Sequence, residues 1–128
     1  MKKFLRSLLA VALLLGIVST TAFAVEPRWR NVASISPSMS AYDGSYTSDI
    51  ICNDGTTKIE CTLTLYEKGL FGNYNQVAQT SSTYYGQMHE FVGYYAIKSE
   101  KTYKLNTTAT VTCNGVTETV STDFEKRC

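Results

Sequence analysis

The chain is short of the residues that most enzyme chemistry needs. It has one histidine in 128 residues, His89, and no serine or cysteine in a recognisable nucleophile motif. Acyl-transfer hydrolases need a nucleophile, a base and an orienting group within reach of one another. Glu90 is the carboxylate beside His89, but neighbouring residues of a strand point to opposite faces. Structural zinc sites favour cysteine pairs two to four residues apart, and the closest pair here, Cys52 and Cys61, lies well outside that spacing. Asp43-Gly44 and Asn53-Asp54-Gly55 read as turns rather than as calcium loops. No two of the eleven acidic residues are paired by the pattern as glycoside hydrolysis would require. The chain therefore reads as a non-enzyme with no metal and no cofactor.

Other absences bound the setting. Proline occurs only at 27 and 37, tryptophan only at 29, and no segment keeps a helical period for three turns. The longest apolar run, Leu8 to Val18, is 11 residues, about half of the roughly 20 that span a bilayer as a helix. Lys2, Lys3 and Arg6 precede that run and Ala22-Phe23-Ala24 follows it. This order is a secretory signal peptide, with cleavage expected between Ala24 and Val25. The alternative, an uncleaved anchor, would recruit Ser19 to Val25. Cleavage removes three of twelve basic residues and none of eleven acidic ones, so the formal charge of +1 becomes −2. A faintly acidic domain lacks the basic footprint of a nucleic-acid binder. No cysteine stands directly after the cleavage site and no apolar tail precedes Cys128, so no membrane attachment is expected after cleavage.

What is present is β texture. Thr, Val, Ile and Tyr dominate residues 25–128, broken at short intervals by turn residues. Lys58 to Tyr66 alternates strictly, with Ile59, Cys61, Leu63 and Leu65 on one face. Thr102 to Cys113 runs into Asn114-Gly115, a tight hairpin signal, and returns as Val116 to Phe124, an edge strand by its weaker pattern. Asn31 to Tyr42 (broken at Pro37), Tyr46 to Cys52, a short Asn75 to Thr80 and Glu90 to Ile97 complete about seven strands. The expected fold is all-β: one immunoglobulin-like sandwich after the signal helix. Tyr103-x-Leu105-x-Thr107-x-Ala109 resembles the strand of fibronectin type III and related sandwiches that begins at a tyrosine corner; the alternative is an ordinary buried tyrosine.

All four cysteines follow the signal, in an exported setting that permits disulfides. In a sandwich, Cys52 ends the second strand, Cys61 starts the third and Cys113 ends the sixth, so the three are expected to approach at one end. Cys128 trails the last turn by about 12 residues, roughly 40 Å at about 3.3 Å per residue, far beyond bridging reach. Cys52–Cys113 is the preferred bridge, with Cys61 joined to either as the next choice. Cys128 is left free or linking two copies into a dimer.

Aromatic residues supply the candidate contact surface. Leu70-Phe71 lies in a glycine-flanked loop with Tyr74 close behind, and Tyr84-Tyr85 and Tyr94-Tyr95 are doublets. Phe71, Tyr74 and Tyr85 form the candidate binding set, since exposed aromatics bring large area at low entropy cost. Alternatively, Phe71 and Tyr74 plug one end of the core. From Pro27-Arg28-Trp29-Arg30-Asn31 through Leu65–Val77 to Asn114-Gly115, the chain resembles uncharacterised small secreted proteins of gut Gram-positive bacteria, a domain of unknown function. The resemblance implies an extracellular protein and no activity; Trp29 is expected to plug the core against the first strand. The reading is a secreted interaction or structural module whose partner is a protein or glycan at the cell exterior. The alternative is a small secreted effector, a bacteriocin-like toxin or enzyme inhibitor.

Overall fold

Alternation decides the longest strands. In Thr102–Cys113 every second side chain from Tyr103 is buried, which is the period-2 pattern of a strand with one face on a core. A computed structural model describes residues 29–128; the expected signal segment, with its expected cleavage between Ala24 and Val25, lies outside the described residues. Seven strands follow in order: β1 (Val32–Ser40), β2 (Ser45–Cys52), β3 (Thr56–Lys68), β4 (Tyr74–Tyr84), β5 (Met88–Tyr94), β6 (Thr102–Cys113) and β7 (Val116–Arg127). All pairings are antiparallel, in a three-stranded sheet β1-β2-β5 and a four-stranded sheet β4-β3-β6-β7. This is the expected all-β sandwich, with three crossovers between the sheets.

The core lies between the sheets. Met39, Tyr46, Ile50 and Phe91 come from one, Ile59, Leu63, Leu65, Leu105 and Val111 from the other. One polar contact crosses this interior: the hydroxyls of Ser48 on β2 and Thr107 on β6, both fully buried, bond to each other. Pairing satisfies two groups that would otherwise be stranded away from water.

Turn chemistry joins the strands as the sequence indicates. Gly44, Gly55 and Gly115 all take positive φ, and Asn114 does so beside Gly115, the geometry of a type I′ hairpin. β1 runs unbroken through Pro37, which pairs opposite Ser48. β1 is an edge strand, where a missing N–H leaves no ladder bond unmade.

Two tethers close the ends. The Tyr103 hydroxyl accepts the Lys98 backbone N–H at 2.9 Å and lies 3.3 Å from a Glu67 carboxylate oxygen. A fully buried tyrosine bonded to backbone five residues upstream, at the β5–β6 crossover, is the tyrosine corner. At the other end Asn31 is buried, and its amide donates to the carbonyls of Val111 and Val116, each at 2.9 Å. The Glu118 carboxylate accepts the backbone N–H groups of Arg30 and Asn31, both at 2.8 Å. Trp29 accordingly sits beside the start of β7, in an open cleft with Val116 and Glu118. It is partly buried against the core, as expected of a core plug, and Glu118 fixes it beside β7 by holding the two residues that follow.

Candidate functional site

The β3–β4 connection is built to hold two apolar side chains in water. The Gly72 N–H donates to the Gly69 carbonyl at 3.1 Å, and the Gly69 N–H to the Asn73 carbonyl at 2.6 Å. These bonds define a four-residue turn with Leu70 and Phe71 at its corners. Gly72 then takes φ +86° to return the chain to β4, a left-handed position that glycine occupies without Cβ strain. Corner side chains of such a turn point away from the ladder. Leu70 is 98% exposed and Phe71 96%. The alternative that Phe71 plugs the core is thereby corrected.

Topology gathers further groups at this end. Lys68 pairs with Tyr74 and Thr102 with Arg127, so the β3–β4 turn, the start of β6 and the end of β7 lie together. An open cleft of about 320 Å³ lined by Lys68, Leu70, Glu100, Lys101 and Arg127 runs beside the tip. Lys101 pairs with Glu67 at 3.3 Å. The β1–β2 turn reaches the same end, because the Tyr95 N–H donates to the Gly44 carbonyl. That turn displays Tyr42, 91% exposed. The result is an apolar tip with a fringe of mixed charge, Lys68, Lys101 and Arg127 beside Glu67 and Glu100.

The three aromatic residues singled out from sequence do not form one surface. Phe71 is at the tip, and Tyr74 starts β4 nearby with its ring under the Lys104 ammonium, 4.5 Å from the centroid. Tyr85 follows the last residue of β4, so an 11-residue strand separates it from the tip, roughly 34 Å at about 3.4 Å per residue. Tyr42 escaped the sequence reading; its signal was an aromatic inside the turn Ala41-Tyr42-Asp43-Gly44.

All four cysteines are thiols in this structure. Cys52 and Cys113 end strands of opposite sheets at the same end of the sandwich. The Cys113 sulfur lies 3.3 Å from the Asp54 carbonyl oxygen, in the turn that Cys52 opens. Burial, with Cys113 nearby as the second cause, pushes the Cys52 thiol up to about 11. Cys61 does not join them, which corrects the expected three-cysteine cluster. It pairs with Ala109, four residues before Cys113 on β6, about 13 Å along the strand. Its thiol faces the core, where burial pushes it up to about 12. Cys128 lies at the opposite end, its N–H bonded to the Lys101 carbonyl.

His89 is enclosed between aromatic rings, stacked on Tyr84 at 4.1 Å and edge-on to Phe91 at 4.8 Å. Among the described residues no group of three or more His, Cys, Asp or Glu is arranged to hold a metal, and no helix is long and apolar enough to cross a membrane.

No protein-family model and no characterised protein matches the sequence. Among solved structures, the chain is similar to part of the β-glucuronidase of Parabacteroides merdae, at 13% identity and a TM-score of 0.36. That match covers 76% of this chain and 13% of the enzyme. It is similar at 14% identity and the same TM-score to Bacteroides uniformis β-glucuronidase 2, solved covalently bound to cyclophellitol-6-carboxylate aziridine, again over 13% of that chain. Likeness this distant, over so small a share of either enzyme, says nothing of what this chain binds.

Proposed function

We propose that this protein is a secreted, non-catalytic binding module of the bacterial cell exterior, and that the Leu70–Phe71 tip is its contact surface. The observation that carries this reading is a pair of large apolar side chains held almost wholly in water by a hydrogen-bonded turn. Burying each in a partner contributes about 1.5–3 kcal/mol. A protein partner fits better than a glycan. Leu70 offers no flat ring for a sugar face, and the cleft beside it is edged by charged groups of both signs rather than an array of amides. An apolar pocket with charged borders is the complementary surface. Affinity capture from envelope and mucus fractions tests this. The Leu70→Ser, Phe71→Ser double variant is expected to bind about 100-fold or more weaker, from the two lost burials, while Tyr85→Ser binds as the parent does. Equal capture by the tip variant would remove the reading.

Export also sets the thiol chemistry. On oxidation Cys52 is expected to join Cys113, leaving Cys61 reduced in the core, with Cys128 free or joined to a second copy. A bridge closing a loop of this length contributes about 3–4 kcal/mol. Peptide mapping of the secreted protein under non-reducing conditions decides, and any bridge containing Cys61 would contradict the assignment.

A further inference from the structure

The sandwich has four edge strands, and three of them carry the devices that keep sheets from joining edge to edge. β1 has Pro37 near its middle. β5 is only seven residues long and carries Glu90. β7 ends in Asp123, Glu125, Lys126 and Arg127. Natural edges are blunted by short length, proline, bulges and charge in this way. β4 is different. It is 11 residues long, and no Asp, Glu, Lys or Arg occurs between Lys68 and Glu90. Its one irregularity is the register shift at Leu65/Tyr66, which leaves Val77 as an extra residue near the start. Beyond it, Ala78 to Tyr84 pairs residue for residue with Leu65 to Ile59 on β3. The last four of these seven are exposed, although their neighbours on β3 alternate between buried and open.

We propose that β4 is a self-association edge, pairing antiparallel with β4 of a second copy so that two four-stranded sheets become one of eight strands. The occupant is a second copy because a two-fold axis sets each residue against its own neighbourhood, a close approach that any charge on the strand would oppose. The sequence from Ala78 to Tyr84 contains none. Pairing about Ser81 sets Thr80 against Ser82 and Gln79 against Thr83, hydroxyl to hydroxyl and amide to hydroxyl. The sheet already uses both kinds of pair: Thr62 bonds Ser81 at 2.8 Å, and Gln79 bonds Thr64 at 3.0 Å. Gln79, Ser81 and Thr83 share the outer face, so the Gln79–Thr83 pair would continue its row across the junction. Thr80 and Ser82, opposite Leu63 and Cys61, would pair on the inner face. This edge is distinct from the Leu70–Phe71 tip, and the two stand or fall separately.

Sedimentation velocity over a concentration series, in reducing buffer so that Cys128 cannot link copies, tests the edge. The parent and the control Thr119→Lys, on exposed β7, are expected to dimerise. Ser81→Lys sets two ammonium groups against each other at the axis and is expected to weaken the dimer about tenfold or more, with an unchanged thermal melt. Hydrogen exchange of the parent supplies a readout free of substitutions: amides of Ala78–Tyr84 should slow as concentration rises. A parent that stays monomeric throughout would overturn the proposal. So would a dimer that Ser81→Lys leaves intact, or one that protects amides of another strand instead. A dimer lost in Phe71→Ser but kept in Ser81→Lys would move the contact to the tip.

Discussion

Replacing Asn31 by alanine is expected to destabilise the domain by about 2–4 kcal/mol, because two carbonyls, one buried and one part-buried, lose their donor at once. Asn31 is 3% exposed, and its amide holds Val111 on β6 and Val116 on β7 together at the hairpin they share. Water does not easily replace the donor at the buried Val111 carbonyl. The loss is a large share of the roughly 5–15 kcal/mol that keeps such a domain folded. It should lower the thermal midpoint by about 4–8 °C for each kcal/mol. Glu118→Ala is expected to cost less, since the Arg30 N–H it frees is exposed. A melt of Asn31→Ala within the range of an ordinary surface change, about 0.5 kcal/mol, would mean the tether is not structural.

The second large effect is expected at Gly93. It lies directly opposite Tyr46 across the β2–β5 ladder, and the Tyr46 ring, 2% exposed, covers its backbone. A Cβ at position 93 would overlap that ring. Tyr46 is packed within the core cluster, so Gly93→Ala must either displace it or distort β5. Overpacking of this kind costs about 1–3 kcal/mol, occasionally more. Tyr46→Leu alone should also destabilise, by opening space. Combined with Gly93→Ala it should cost less than the two losses added, because the smaller side chain makes room for the methyl. Chemical denaturation of the three variants checks this, and strict additivity would mean the two residues do not meet.

These sites show which parts of the molecule were legible in the sequence. β3 and β6 could be read because each has one wholly buried face, so alternation appears in the residue types themselves. β4 could not: its last four residues are exposed on both faces, and with no buried side there is no period to see. Its extent is set by hydrogen bonds from β3, which carries it from the expected Asn75–Thr80 to Tyr74–Tyr84. β7 likewise runs past Phe124 to Arg127 because β6 offers partners as far as Thr102.

The site was legible in its parts and not in its grouping. Leu70-Phe71 between glycines marks a displayed pair, and the structure displays it. Whether Phe71 and Tyr85 share a surface depends on which end of β4 each occupies, and no local pattern records that. The same holds for the cysteines. Starting β3 at Thr56 rather than Lys58 carries Cys61 further from the Cys52 end. Asn31 and Glu118 gave no signal, since their bonds join residues 80 or more positions apart.

The most direct measurement of the tip assignment is photo-crosslinking on the full protein, with benzoylphenylalanine placed at position 71 in one sample and at position 85 in another. A binding tip predicts a discrete adduct with a partner protein from position 71 and none from position 85, and the Leu70→Ser change should abolish it. An adduct from position 85 alone, or one from position 71 that survives Leu70→Ser undiminished, would contradict it.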